Sequence, residues 1–569
     1  MVYSNGEYIE YSYDDSCRLT SVKTAYGTTS YGYDKLDRLI RVVDRNGYAT
    51  VYEYDENGNR SVVRYANGIV ISYKYDEVNR LISEKALDKQ GGLVAQYEYT
   101  LGAAGERTKV KELDRTVEYT YDELYRLTGE KITAADKTVT EYTYAYDKVS
   151  NRILKTENGT KTTYTYNALN QLVKENDTVY KYDDAGNLIS TTSSGKSAAY
   201  TYNAENKLIR ATVNEAGKTV VEEYTYDYAG NRTSKTTGSE TVRYLNDNSV
   251  LTNVLAEFDA NGNVLCYYTI GADLISQERS GKMSLYLYDG HGSVRCLIDE
   301  NGKVTDTYNY DAFGNLLDKT GTTVNNYLYC GEQFDSATGL YYLRARYMNP
   351  ATGTFITQDT YPGTIFDSTS LHKYLYANAN PVMNVDPSGY FGLTDVVCAN
   401  AIGNTLFYGT SAGLINVGLN LLRELRAAER YGTTIDFGYV ITMSFTEGFL
   451  TGAFFGTCGM LAQSLNSALI YMALGGSSLL FASMSLAQAE ADRSNGDYDL
   501  MAFDLLFAAG GFLGAKHCFD NAYSISTASK TAKSTTNTSI RLKMLMDMKA
   551  KFQELVKNFI MIFKIDMKM

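Results

Sequence analysis

Tryptophan is absent from this chain of 569 residues, proline occurs four times and histidine three times. Seven cysteines, at 17, 266, 296, 330, 398, 458 and 518, lie far apart and form no Cys-x-x-Cys pair. So odd and scattered a set is not a disulfide framework. With His291, His372 and His517 equally dispersed it offers no zinc site, and neither a metal nor a cofactor is expected. Positive charge is also short. Lys and Arg number 54 against 66 Asp and Glu, a net charge of −12. That balance argues against a nucleic-acid partner for the chain as a whole, because phosphate binding needs Lys and Arg. The opening MVYSNGEYIEYSYDD has neither a basic stretch nor an apolar core, so no signal peptide is visible.

What is abundant is tyrosine, with 52 residues, and it is periodic. YSYDDSCRL, YGYDKLDRL, YEYDENGNR, YKYDEVNRL, YTYDELYRL, YKYDDAGNL, YTYDYAGNR and YNYDAFGNL are copies of one pattern. The early copies begin at Tyr11, Tyr31, Tyr52, Tyr73, Tyr97 and Tyr119, separated by 20, 21, 21, 24 and 22 residues. Tyr-x-Tyr places two rings on one face of a strand, since strand side chains alternate. The Asp that follows, often with Asn-Gly or Gly-Asn close behind, makes a tight hairpin turn, and Arg-Leu or Asn-Leu starts the return strand. About twenty residues therefore make one hairpin, and stacked hairpins make a long twisted antiparallel sheet. Tyrosines in register predict aromatic ladders across strands, a packing role rather than a sugar-binding one.

These copies resemble the YD repeats of the RHS family, which also build the shells of teneurins and of insecticidal toxin-complex C subunits. The resemblance covers residues 1 to about 390, and 46 of the 52 tyrosines precede residue 391. It implies a mainly β chain. A YD-repeat β-hairpin shell over 1–330 would be closed by an RHS repeat-associated core, or plug, over 331–390. GLYYLRARYMNPATGTFITQDTYPG and LHKYLYANANPVMNVDPSGY resemble that core. They depart from it in Asp-Thr-Tyr-Pro for the usual Asp-Pro, and in a spacing of 27 from Asp359 to Asp386. The resemblance further implies aspartyl-type autoproteolysis. Asp359 and Asp386 would share one proton and cut between Tyr390 and Phe391, with Arg346 positioning a carboxylate or anchoring the plug. The alternative is structural: Asp-Pro-Ser-Gly is itself a β-turn sequence, Asp359 can cap a turn, and Arg346 can serve as an ordinary ion-pair partner.

Beyond Phe391 the chain turns apolar and helical in period. Residues 391–533 resemble the hydrophobic pre-toxin region that RHS proteins place between plug and toxin, and a basic amphipathic helix, readable as a truncated effector, is expected over 534–569. Residues 396–422 and 448–489 carry no charge, and the second run suffices for two membrane passes. Asn400, Asn404, Asn416 and Asn420 give the first run one polar face, and buried core helices remain the alternative. Near the end, Leu545, Met548, Phe552, Leu555, Phe559 and Ile562 form one apolar stripe beside seven basic and three acidic residues. That helix suits an anionic membrane or a partner helix equally.

The leading reading is an RHS-type polymorphic toxin, or its C-terminal piece, secreted or displayed at the cell surface in interbacterial competition. Its shell would hold its own C-terminal segment as cargo, with an immunity protein and the target-cell membrane as further partners. The alternatives are a non-enzymatic surface protein for adhesion and a membrane-anchored YD shell. With strands about 4.8 Å apart, some thirty strands give a sheet on the order of 140 Å wide. That predicts roughly one broad turn, an open shell with an exposed first strand, and a chain that is the distal part of a longer protein. Residues 391–569 expressed alone are expected to harm the producing cell and to partition into membranes. A soluble, monomeric and harmless fragment in a membrane-flotation assay would favour the buried-core alternative.

Overall fold

The computed structural model describes residues 6–16, 18–247, 251–361, 368–390 and 393–394. Phe391, the uncharged runs at 396–422 and 448–489, and the terminal helix over 534–569 lie outside the described residues. Among the described residues no helix is long and apolar enough to cross a membrane.

The turn explains the repeat. In the copy beginning at Tyr31, the Asp34 N–H donates to the Arg38 carbonyl at 3.0 Å and the Asp37 N–H to the Asp34 carbonyl at 3.2 Å. Asp34 Oδ1 accepts the amides of Leu36 and Arg38 at 2.8 and 3.0 Å, and Oδ2 accepts Arg38 Nε at 2.7 Å. The fourth turn residue is left-handed, Asp37 at φ 60° here and Gly58 at φ 85° in the next YD copy, as a type I turn closed by a bulge requires. Asp55, Asp122 and Asp227 repeat the arrangement with Asn59, Arg126 and Asn231. A bulge beside the second tyrosine of the copy, at Tyr33, Tyr54, Tyr75 and Tyr121 among others, follows from it.

Thirty strands result, from Ile9–Tyr13 to Leu316–Thr320, each antiparallel to the next in sequence. The tyrosines do not form the expected ring-on-ring ladder. Equivalent rings lie two strands apart, about 10 Å, beyond the 4.5–7 Å of an aromatic pair. Hydroxyls and guanidiniums bridge the gap instead. The second tyrosine of a copy donates to the carbonyl at the start of the preceding return strand: Tyr33 to Leu19 at 2.9 Å, Tyr54 to Leu39 at 2.7 Å, Tyr146 to Leu127 at 2.8 Å, Tyr202 to Leu188 at 2.9 Å. Arg18, Arg38 and Arg126 lie over Tyr33, Tyr54 and Tyr146 of the following copy, 5.4, 4.7 and 4.9 Å from the ring centres.

The ribbon meets itself. Arg45 pairs with Glu278 at 2.7 Å, Arg295 with Glu112 at 2.6 Å, and the Tyr31 hydroxyl reaches the Ile270 carbonyl at 3.2 Å. Ile9 on the first strand is fully buried in a cluster with Leu245, Ala256 and Phe258. The late strands thus meet the first ones, and Ile9 of the first strand is buried where an open shell with an exposed first strand was expected. The estimate from sheet width missed this because coiling is set by twist, which strand spacing alone does not contain.

Burial on the inner face leaves Glu84 only 4 % exposed, opposite Tyr73 and Tyr97 on the flanking strands. Burial, against the opposing pull of Arg60, pushes its carboxyl up to about 8. The unfolded chain releases that proton near the ordinary glutamate value. The stabilisation is therefore complete below that value and lost as pH rises through about 8. Glu84→Gln is expected to melt with the wild type at pH near 4 and clearly above it at pH above 8. The gap should open by up to about 1.4 kcal/mol per pH unit, measured by thermal unfolding across pH.

Candidate active site in the plug

The described residues of 331–390 pack against the inner face of the shell. A small antiparallel sheet of Gln333–Asp335, Leu340–Leu343, Arg346–Asn349 and Thr354–Phe355 forms their centre. LYYL and RYM are buried on both faces, which is why these strands lack the alternation of the shell. Rings hold plug to shell: Tyr224 against Tyr347, Tyr182 against Tyr374, with centres 5.6 and 5.8 Å apart. A buried latch adds to them. Arg232 of the shell pairs with Asp335, bonds Gln333 at 2.8 Å and lies 4.4 Å over the Tyr342 ring, while Lys235 reaches Asp335 at 2.9 Å. Burial alone would raise the Asp335 carboxyl, but Arg232 and Lys235 hold it below the usual range.

Arg346, Asp359 and Asp386 come together. Arg346 Nη2 lies 2.9 Å from Asp359 Oδ2 and 3.5 Å from Asp386 Oδ2, so the guanidinium stands between the two carboxylates. Its Nε donates to the Gly389 carbonyl, its Nη1 to the Lys373 carbonyl at 3.2 Å, and its carbon sits 3.6 Å over the Phe355 ring. Asp386 Oδ1 accepts the amides of Gly389 at 2.8 Å and Tyr390 at 3.1 Å and the Ser388 hydroxyl at 3.2 Å. The carboxylate thus grips the chain one residue before the expected cut. Asp359 is placed by its own amide on the Lys373 carbonyl at 2.9 Å, and its Oδ1 accepts the Tyr361 amide at 2.8 Å.

Burial raises both carboxyls above the ordinary aspartate value, with Arg346 opposing in each case, and burial lowers Arg346 itself. Burial thus draws both carboxyls toward the protonated form while the guanidinium they share opposes it. Tyr390 is half-exposed. His372, buried on Asn151 at 2.7 Å, is pushed down to about 4 by burial and is neutral at physiological pH. Among the described residues no group of three or more His, Cys, Asp or Glu is arranged to hold a metal.

Sequence reasoning did not find Arg344 and Glu332. Arg344 Nη1 bonds both oxygens of buried Glu332 at 2.9 Å and the Pro387 carbonyl at 2.6 Å. The Arg-Ala-Arg spacing was a usable signal for Arg344, whereas nothing local marks Glu332.

A coiled sheet of about twenty-residue hairpins, enclosing a plug with a carboxylate–arginine cluster, defines a repeat shell with a core domain. Residues 106–382 match the family model described as Teneurin YD-shell, and residues 33–70 the one described as RHS Repeat. The chain is an RHS/YD-repeat protein. It is 39% identical over 375 residues to the tRNA3(Ser)-specific nuclease WapA of Bacillus spizizenii and to the tRNA nuclease WapA of Bacillus subtilis. Each alignment takes in 64% of this chain, which spans 16% of the length of those relatives. The Photorhabdus luminescens Tc holotoxin pore superposes with a TM-score of 0.57 at 18% identity, over 68% of this chain and 21% of that one. The TcdB2–TccC3 crystal structure does so with 0.51 at 17%, over 68% and 22%. These two likenesses show the fold.

Arg232→Met is expected to destabilise the described unit by on the order of 3 kcal/mol, because it strips a buried carboxylate of its main partner. Denaturant unfolding measures this, and a loss under 1 kcal/mol would show that the latch carries little.

Proposed function

We propose that this chain is the shell and plug portion of an RHS-type toxin, and that the plug cuts the chain between Tyr390 and Phe391 to free the C-terminal segment within the shell. One observation carries the reading. Arg346, Asp359 and Asp386, which lie up to 40 residues apart, converge on the Asp386–Tyr390 turn. The WapA relatives and the Tc toxin likeness support the toxin assignment. Delivery against neighbouring cells, an immunity partner and action of the freed segment at a membrane belong to the same proposal.

In the reaction, the ionised member of the aspartate pair takes a proton from water as the oxygen attacks the Tyr390 carbonyl. The protonated member donates to the carbonyl oxygen. Collapse of the tetrahedral intermediate breaks the C–N bond: the first aspartate passes the proton taken from water to the Phe391 nitrogen, and the second recovers its own from a hydroxyl as the Tyr390 carboxylic acid forms. Arg346 keeps the pair close without letting both protonate early. Because burial raises both carboxyls, the one-proton state extends above the usual acid range, so cleavage should quicken as pH falls from neutral and fade once both are protonated.

Intact-mass measurement of the purified chain is expected to show two fragments divided after Tyr390 that remain associated on gel filtration. Asp386→Asn should slow the cut by about 100-fold or more without changing the melting of the shell. A wild-type chain that stays whole from neutral to acidic pH would overturn self-cleavage.

A further inference from the structure

Three consecutive carbonyls before the proposed cut are held by three consecutive residues of the hairpin that carries Arg346. Arg344 Nη1 donates to Pro387 O at 2.6 Å, the Ala345 amide to Ser388 O at 3.2 Å, and Arg346 Nε to Gly389 O. The Tyr390 carbonyl is the next in the series, and among the described residues it has no such donor. The turn lies directly on the hairpin backbone. Gly389 has φ 74°, and a Cβ there would collide with the Leu343 carbonyl and sit 3.0 Å from the Arg346 nitrogen.

Arg344 is itself braced from two sides. Both oxygens of Glu332 lie 2.9 Å from its Nη1, and its Nε donates to the shell carbonyl of Thr252 at 3.2 Å. Shell residue Lys207 reaches the carbonyls of Arg344 and Ala345, each at 3.4 Å. Ion-paired with Glu332, Arg344 still gives its shortest bond to a backbone oxygen that takes no part in the chemistry, which is the mark of a register device.

We propose that Arg344, held by Glu332, is a positioning residue for self-cleavage: it fixes the Pro387 carbonyl, and with it the register of the turn, so that the Tyr390 carbonyl alone is presented to Asp359 and Asp386. The inference rests on the self-cleavage proposed above. A turn pinned at three successive oxygens cannot slide by a residue, and the first free oxygen falls where the aspartates act. Without Arg344 the Pro387 carbonyl is released and the reacting carbonyl wanders. A misplacement of about 1 Å costs a positioned reaction roughly 100-fold.

The test follows cleavage of the full chain by intact mass over time, with melting recorded for every variant. The wild type should give a single cut after Tyr390. Arg344→Gln should slow it at least tenfold and spread the products onto neighbouring bonds, and Glu332→Gln should do the same to a lesser degree. Arg344→Lys, which can reach a carbonyl but not Glu332 and Thr252 together, should recover part of the rate. Arg152→Gln is the control, since Arg152 anchors the plug through the Ala351 carbonyl and has no bond to the turn. It should keep the wild-type rate and the single cut. Arg344→Gln cutting after Tyr390 at the wild-type rate would overturn the proposal, and so would an equal loss in Arg152→Gln. Should Arg344→Gln fail to fold, Glu332→Gln decides by the same two readouts. An uncut wild type overturns self-cleavage itself, whereas a cut wild type with an unaltered Arg344→Gln overturns only this inference.

Discussion

A carboxylate oxygen that accepts two amide hydrogens, from the residues two and four places on, is what lets this chain reverse direction so often. Asp34 does it for Leu36 and Arg38, and its second oxygen takes the Arg38 side chain. Without that acceptor the turn would leave two N–H groups to water and the return strand without a fixed start. With it, the tyrosine before the turn and the arginine after it are set at fixed positions. The Tyr hydroxyl and the Arg guanidinium can then reach the neighbouring hairpins, as Tyr54 and Arg38 do. Hairpin, bulge and inter-hairpin tie all follow from one oxygen atom.

Inside the shell the same residue types are used differently. On the turns, aspartate and arginine are partly exposed and their pairing is local. Between shell and plug, Arg232 with Asp335, and within the plug, Arg346 with Asp359 and Asp386, are almost wholly buried. A buried charge without its partner is expensive, so these pairs fix where the plug sits more than they add stability. The cleavage candidate is one more cluster of this kind, distinguished by lying on the Asp386–Tyr390 turn.

The period of about twenty residues made the hairpins legible, and the Asp after each Tyr-x-Tyr made the turns legible. The tyrosine ladder was misread because sequence shows spacing along the chain, not the intervening strand that holds equivalent rings about 10 Å apart. The overlap of the ribbon was not legible at all. Glu278 lies 233 residues from Arg45, and neither neighbourhood carries a pattern that names the other. In the plug, Arg346, Asp359 and Asp386 were reached through family likeness. Asp335 and Glu332 escaped because their partners, Arg232 and Arg344, share no periodicity with them.

Strand pairing in the shell links residues fewer than twenty apart, whereas the overlap links residues more than 230 apart, as in Tyr31 with Ile270. The chain therefore has two clocks. Each hairpin can pair with its predecessor as soon as it leaves the ribosome, but the inner face of the first hairpins has nothing to rest against until the late strands exist. At about 5–20 residues per second, that interval is on the order of 10–50 seconds. During it a row of tyrosines and aliphatic side chains stands open to the cytosol, along a strand edge still looking for a partner. The early repeats must tolerate that wait, and a chaperone that binds extended aromatic segments has its longest opportunity there.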